Sequence, residues 1–512
     1  MVFTRSEETG DTPLVNTTVG VVRGLRAEDG SAMFLGIPYA IVDENNPFGA
    51  ATPNPIFEGV FNAINDNARC PQLGEMQDMT LDCLHLNIHV PPTAGNERLP
   101  VFVYIHGGGF TSGFSGRNNF GPKYLIKHDV IFVSLNYRLA AYGFMCLHTA
   151  QVPGNQGLKD QLLALRWIKN NIKSFGGDVD SITIAGDSAG GMSVDSQILF
   201  ADEGLFHRVI ILSGTSLTPT SFPEPDLDAA FKIAKHLGFE TNNMSEAVTF
   251  LSNQAPGPVL VAAQVLQIGF RPCVEMEFPN VERFASSHPV RTPVTKASQI
   301  PIIAGYTEDE WLISHLNRPA QSFETLDIFN QNIKSGFDFG EKHDAMKSFV
   351  RRFYAADEPM SIKLRRAVID FDSDFRFNHP TQRTLRKYLD YGGVAYHYVF
   401  SYRGGRNLQR VRFNITEGGA THADDLGYFL DMPELRDAPT TPDDHLMVDR
   451  ITTLWTNFAK YGNPTPSTTE LLPVQWLPVT RDRLNYLNLT LNLELRTRPF
   501  HKRLSFWDFF YH

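Results

Sequence analysis

Ala185-Gly186-Asp187-Ser188-Ala189-Gly190, read together with His106-Gly107-Gly108-Gly109 upstream, decides the fold. The first run holds a G-x-S-x-G pattern centred on Ser188. It follows the β-branched Ser181-Ile182-Thr183-Ile184 and precedes Gly191-Met192-Ser193-Val194-Asp195, which suits a helix start. A serine on so tight a strand-to-helix turn is pushed out of the backbone, onto the rim of a parallel sheet. The flanking glycines accommodate a strained turn and a helix passing close to the strand. The glycine triplet follows a second strand-like run, Val101-Phe102-Val103-Tyr104-Ile105. Its bare N–H groups can converge on a developing oxyanion. Taken alone, Ser188 also reads as an ordinary surface-turn serine; the two motifs in this order, each behind a strand, favour a nucleophile.

The chain has 512 residues, of which 42% are hydrophobic, and its 38 phenylalanines imply an aromatic-rich core and pockets. The net charge is −10 with no dense Lys/Arg tract, which argues against nucleic acid as a partner. No apolar run reaches the length of a membrane-spanning helix. The stretch Met1–Glu8 is polar and acidic and does not read as a signal peptide. The expectation is a secreted protein whose signal is absent from this chain, with a cytoplasmic protein as the alternative. Secretion is favoured by the glycosylation triplets at Asn16, Asn243, Asn414 and Asn488. Cys70 and Cys83 lie close enough to form a small disulfide loop worth about 3 kcal/mol, the alternative being two reduced, buried cysteines. Cys146 and Cys273 have no evident partners, and no zinc-like spacing exists. No metal or cofactor is expected.

Up to about residue 90 the sequence reads as short strands and turns, such as Gly20–Gly24 and Phe34–Tyr39. From about 100 to 215, buried strands alternate with helices. Val130–Leu135 is nearly all apolar, as a strand covered on both faces should be. Leu158, Leu162, Leu165, Ile168 and Ile172 fall at helical spacing. Val209–Leu212, Pro301–Gly305 and Ala395–Phe400 continue the sheet. The pattern predicts one α/β domain over 1–512, with a central, mostly parallel sheet flanked by helices. The stretches from about 220 to 290 and 320 to 390 are expected to form helical lid insertions over the strands' carboxyl edge.

These motifs resemble the type-B carboxylesterase/cholinesterase family of α/β-hydrolases across almost the whole chain. Phe175-Gly176-Gly177-Asp178 leads into Gly186-Asp187-Ser188-Ala189-Gly190 as in that family's nucleophile signature. Asp82-Cys83-Leu84, Leu86-Asn87-Ile88 and Pro91 match its second signature. Asn136-Tyr137-Arg138 and the run Gly154–Gln161 are also family-like. The resemblance implies an Arg138–Asp160 ion pair and a Cys70–Cys83 disulfide. It further implies Ser188 as nucleophile, His422 in Thr421-His422-Ala423-Asp424-Asp425 as base, and an acid within Gly305–Glu310. Alignment puts the acid at Glu310, with Glu308 and Asp309 as neighbouring alternatives. Gly108, Gly109 and Ala189 would form the oxyanion hole, and His106 would shape that loop rather than titrate.

Several positions depart from the family pattern. Asp187 stands where many members have Glu, and Trp311 where Gly is common. Leu81 and Pro47-Phe48 remove both halves of one family ion pair. The loop between Cys70 and Cys83 is short and has no Trp to hold a quaternary ammonium, so choline esters are poor candidates. The overall look is nearest to insect carboxylesterases that clear hormones, odorants, dietary esters or insecticides. The expected function is a serine carboxylesterase acting on hydrophobic esters, with organophosphates as inhibitors. The alternatives are a slow esterase that mainly sequesters ligands, and a non-catalytic neuroligin-like adhesion protein. The oligomeric state is not readable from sequence.

Overall fold

Runs rich in Val, Ile and Phe build an eleven-stranded central sheet in the computed structural model, which describes residues 12–74, 79–95, 97–201 and 203–511. The Met1–Glu8 stretch and residues 75–78 of the Cys70–Cys83 loop lie outside the described residues. In chain order the strands are β1 (Leu25–Arg26), β2 (Ala32–Pro38), β3 (His85–Val90), β4 (Leu99–Ile105), β5 (Ile131–Leu135) and β6 (Gly177–Asp187). They continue as β7 (Arg208–Leu212), β8 (Ile302–Thr307), β9 (Ala395–Phe400), β10 (Asn485–Leu489) and β11 (Glu494–Thr497). The spatial order is β11-β10-β9-β8-β7-β6-β4-β5-β3-β2-β1. The seven strands from β10 to β5 pair in parallel, and the edges are antiparallel. The helices used below are α1 (Gln156–Asn171), α2 (Ala189–Phe200), α3 (Arg365–Ser373), α4 (His379–Asp390), α5 (Pro442–Tyr461) and α6 (His501–Asp508).

Strand periodicity divides the core into two faces. Val101, Val103 and Ile105 of β4 join Val209 and Ile211 of β7 in one apolar cluster, which α1 and α2 cover with Leu158, Leu165, Val194 and Ile198. Phe102, Tyr104, Ile210 and Leu212 point the other way, onto Met447, Ile451, Trp455 and Phe458 of α5. Successive residues of a strand face opposite sides, so a sheet covered on both faces is apolar at every position. The helix α5 starts at a Thr441–Asp444 capping box and ends at Gly462 in the left-handed conformation.

The stretch expected as a first lid packs into the core. Ile233, Val248, Leu251 and Leu260 of its helices join the same cluster as α1 and α2, so it is part of the core wall. The second stretch carries α3 and α4, joined by a π-helical turn, Asp374–Asn378.

Two expectations are corrected. Cys146 and Cys273 do have partners: each other. The bond is accompanied by a polar clasp that sequence spacing does not reveal. Asn155 Nδ2 donates to Cys273 O (2.8 Å), Cys273 N donates to Asn155 Oδ1 (2.9 Å), and Lys159 Nζ reaches Glu275 Oε2 at 2.7 Å. A Cβ on Gly154, whose φ is +107°, would stand 2.5 Å from Cys273 Sγ, so only glycine lets the chain pass the sulfurs. The Cys70–Cys83 disulfide is present as the resemblance implied. The second correction concerns Asn488. It is buried in β10, where its Oδ1 accepts from Ser401 Oγ at 2.9 Å, and it offers no acceptor for a glycan in the folded chain. Asn16, Asn243 and Asn414 are exposed.

The Cys146–Cys273 bond spans 127 positions, and closing a loop of that order removes about 4–5 kcal/mol of unfolded-chain entropy. The Cys146→Ser/Cys273→Ser variant will therefore unfold at clearly lower denaturant than the parent. An unchanged midpoint with an unchanged slope would show that the bond adds nothing to stability.

Candidate active site

The candidate residues follow the carboxyl ends of four neighbouring strands. His106–Gly109 follow β4, Ser188 follows β6, Ser213 follows β7, and Glu308–Glu310 follow β8. His422 comes from the loop beyond β9 and reaches back to β8's end, where its backbone N donates to Glu310 O at 3.0 Å.

Ser188 sits at φ 57°, ψ −122°, a conformation that a non-glycine residue holds only where its surroundings enforce it. The enforcement is visible in the glycines around it. A Cβ on Gly190 would lie 2.1 Å from Ile105 O, and one on Gly214 would lie 2.3 Å from Ser188 O. The Ser188 N–H donates to Leu212 O at 2.9 Å, which ties the turn to β7. A Cβ on Gly107 would come within 3.0 Å of Ser188 Cβ, so the glycine loop lies directly against the serine.

That loop is folded on its own carbonyl. Gly108 O accepts from Thr111 N and Ser112 N, both at 3.1 Å. The N–H groups of Gly108, Gly109 and Ala189 have no hydrogen-bond partner among the described residues, which leaves them available to an incoming anion. His106 is buried and stacks on Tyr137 at 4.5 Å, with its Nδ1 2.8 Å from Gly107 O. Burial lowers its pKa to about 4, so the ring is neutral at pH 7 and acts as a wedge under the loop.

The three carboxylates after β8 separate by geometry. Asp309 is held by Arg366 at 2.7 Å through each of its oxygens and accepts from Gly419 N. Glu308 is half-buried, with burial and the Asp309 charge raising its pKa. Glu310 is fully buried: Oε1 accepts from Ser213 Oγ and Thr307 N, and Oε2 lies 2.6 Å from His422 Nδ1. Burial opposes a charge on His422, but the charge and hydrogen bond of Glu310, with Asp187 and Asp425, raise it to about 9. The structure thus brings Glu310 and His422 into contact. Ser188 Oγ has no partner at hydrogen-bond distance among the described residues.

Asp187 ends β6, and burial holds its carboxyl well above the ordinary range, with Asp425 and Glu310 adding to the rise against His422. Asp425, in the same turn as His422, also lies close to these groups. Burial and the Glu310 charge raise it to about 7, and its Oδ2 accepts from Tyr398 OH at 3.0 Å. The Tyr104 hydroxyl, also buried, feels both aspartates and has no hydrogen-bond partner among the described residues. The signal for Asp425 was its place three residues after His422, on the same tight turn. The aromatic walls were also missed in part. Trp311 meets the His422 ring edge-on at 5.4 Å, and Phe377, set by the π-helical turn, lies 4.8 Å from it.

Comparison with known proteins shows the family. The Carboxylesterase family profile matches residues 11–507. Bile salt-activated lipase of Mus musculus is 30% identical over 533 residues, covering 96% of this chain and 86% of the relative. Juvenile hormone esterase of Heliothis virescens is 29% identical, covering 96% and 93%. Esterase FE4 of Myzus persicae is 30% identical, covering 89% and 84%. The chain belongs to the carboxylesterase family, and its fold is that of an α/β-hydrolase acting on carboxylic esters. No helix of the described residues is long and apolar enough to cross a membrane.

Proposed function

We infer that the chain hydrolyses apolar carboxylic esters through Ser188, His422 and Glu310. The observation that carries this reading is the 2.6 Å Glu310–His422 contact beside a serine held in a strained turn. Ser188 Oγ attacks the ester carbonyl while His422 Nε2 takes its proton. The tetrahedral oxyanion is held by the N–H groups of Gly108, Gly109 and Ala189. His422 returns the proton to the departing alkoxide, leaving an acyl-serine. Water repeats the sequence, releasing the carboxylic acid and restoring Ser188. Glu310 fixes the imidazole tautomer and stabilises its charged form. Organophosphates enter the same attack: Ser188 Oγ bonds to phosphorus, the bond from phosphorus to the leaving group breaks, the Ser188 proton passes to His422, and the enzyme stops at a phosphorylated Ser188.

Trp311 and Phe377 beside His422 support an apolar substrate. Two disulfides and three exposed glycosylation triplets fit an oxidising, secretory compartment. Hydrolysis of p-nitrophenyl esters from acetate to octanoate tests the substrate class. The expected result is kcat/KM rising with acyl length; a maximum at acetate would refute the apolar reading.

The raised pKa of His422 sets a pH dependence with a definite sign. The base must be neutral, so kcat/KM will climb with pH through about 9. Glu310→Gln removes the strongest anionic support of the imidazolium, so the His422 pKa falls. The rise will then move to lower pH while the plateau drops. Identical profiles for the two enzymes would remove Glu310 from the triad.

A further inference from the structure

A cavity of about 300 Å³ lies between α4, the Val290–Thr292 segment and Tyr511, and includes none of Ser188, Glu310 or His422. Its walls carry Arg291, Arg383, Arg386 and Lys387 against Asp390 and Asp508. Both carboxylates are already engaged. Asp508 is gripped by Arg386, with Nη2 2.8 Å from Oδ2, and lies 3.1 Å from His379 Nε2. Asp390 pairs with Arg481 across 3.3 Å.

The other three cations have no such partner. Arg383 lies 3.6 Å over the Tyr511 ring. The Lys387 ammonium donates to the Pro289 carbonyl. The carboxylate whose charge reaches Lys387 is Asp195, itself bound by Ser216 N and Oγ at 2.8 and 2.6 Å. Arg291 is exposed at the rim. Among the described residues, none of the three makes an ion pair with a carboxylate. Burial pushes both Arg383 and Lys387 below their ordinary values, the cost of holding cations partly out of water with no carboxylate in contact among the described residues. A positive cavity of this kind on a chain of net charge −10 is a local feature, not a reflection of overall composition.

Two more observations narrow the ligand. Val290 and Tyr391 line the cavity while 48% and 45% exposed, so an apolar surface adjoins the cations. The volume falls at the lower end of small-molecule sites, about 300–1,000 Å³. We propose that this cavity is a second ligand site that takes a small organic anion, with a carboxylate or phosphate head on Arg383, Lys387 and Arg291 and an apolar body against Val290 and Tyr391. Guanidinium and ammonium donors make charge-assisted bonds to such heads, about twice as strong as neutral ones. The site is independent of the ester chemistry at Ser188.

Calorimetric titration of the full chain with octanoate, octyl phosphate, inorganic phosphate and 1-octanol tests it. Octanoate or octyl phosphate should bind, the preferred one reporting the head group, with 1-octanol and inorganic phosphate at least tenfold weaker. Arg383→Gln, Lys387→Gln and Arg291→Gln should each weaken the preferred anion about fivefold or more. Arg291→Gln touches an exposed side chain, so its effect is free of any folding defect in the other two. Octanol binding as tightly as both anions, or affinities unchanged in all three variants, would overturn the proposal.

Discussion

Replacing Ser188 with alanine will lower kcat on a p-nitrophenyl ester by roughly 10⁶-fold, with the fold intact. The fold should survive because alanine keeps the Cβ that the Gly107 loop packs against and loses only Oγ, which has no hydrogen-bond partner among the described residues. The strain at φ 57°, ψ −122° is the same for either side chain, since glycine contacts and the Leu212 hydrogen bond impose it. What disappears is the proposed nucleophile. His422→Ala should cost about as much, and the double variant no more than either single one, because the two groups act as a unit. Residual turnover would come from the N–H groups of the glycine loop, which neither substitution touches. Circular dichroism and an unfolding midpoint matched to the parent make the loss chemical. Turnover within tenfold of the parent in Ser188→Ala would end the acyl-serine reading.

The sequence made the centre of the molecule legible and the periphery less so, for physical reasons. β4, β5, β7, β8 and β9 declare themselves because parallel strands buried on both faces are near-continuous apolar runs. The turn at Ser188 declares itself because several backbone approaches there exclude any Cβ, and glycines mark them. β10 did not, since Asn485 and Asn488 give it a polar look; Asn488 is satisfied by Ser401, a partner 87 residues away that no local pattern foretells. The Cys146–Cys273 bond was hidden in the same way: its clasp depends on α1 and the Cys273 segment meeting in space. Among Glu308, Asp309 and Glu310, residue type was no guide. Arg366 takes Asp309 and the imidazole takes Glu310, a division decided by side-chain direction after β8. Asp425 illustrates a further limit, because its behaviour comes from burial beside Glu310 and Tyr398, not from its identity.

Replacing Arg138 with methionine will destabilise the protein by about 3–5 kcal/mol, as breaking a fully buried ion pair does. Both side chains are wholly out of solvent. Arg138 Nε reaches Asp160 Oδ2 at 2.8 Å and Nη2 reaches Oδ1 at 2.6 Å, while Nη1 donates to Pro47 O (3.1 Å) and Gly49 O (2.6 Å). The variant leaves a buried carboxylate and two buried carbonyls without this donor. It also explains how Pro47-Phe48 serves without the charged pair usual there: the Pro47 carbonyl holds Arg138, and Phe48 stacks on Tyr142 at 4.9 Å. Adding Asp160→Leu removes the stranded charge, so the double variant should regain part of the loss. It should not regain all, because each orphaned carbonyl still costs about 1–3 kcal/mol. Activity should fall with stability. Asp160 stands on α1, whose Gln161 bonds Ser193 of α2, the helix that begins at Ser188. Chemical unfolding of parent, single and double variants decides it. A single variant as stable as the parent, or a double variant more stable, would show that the pair is replaceable packing rather than the tie between the Pro47–Gly49 loop and α1.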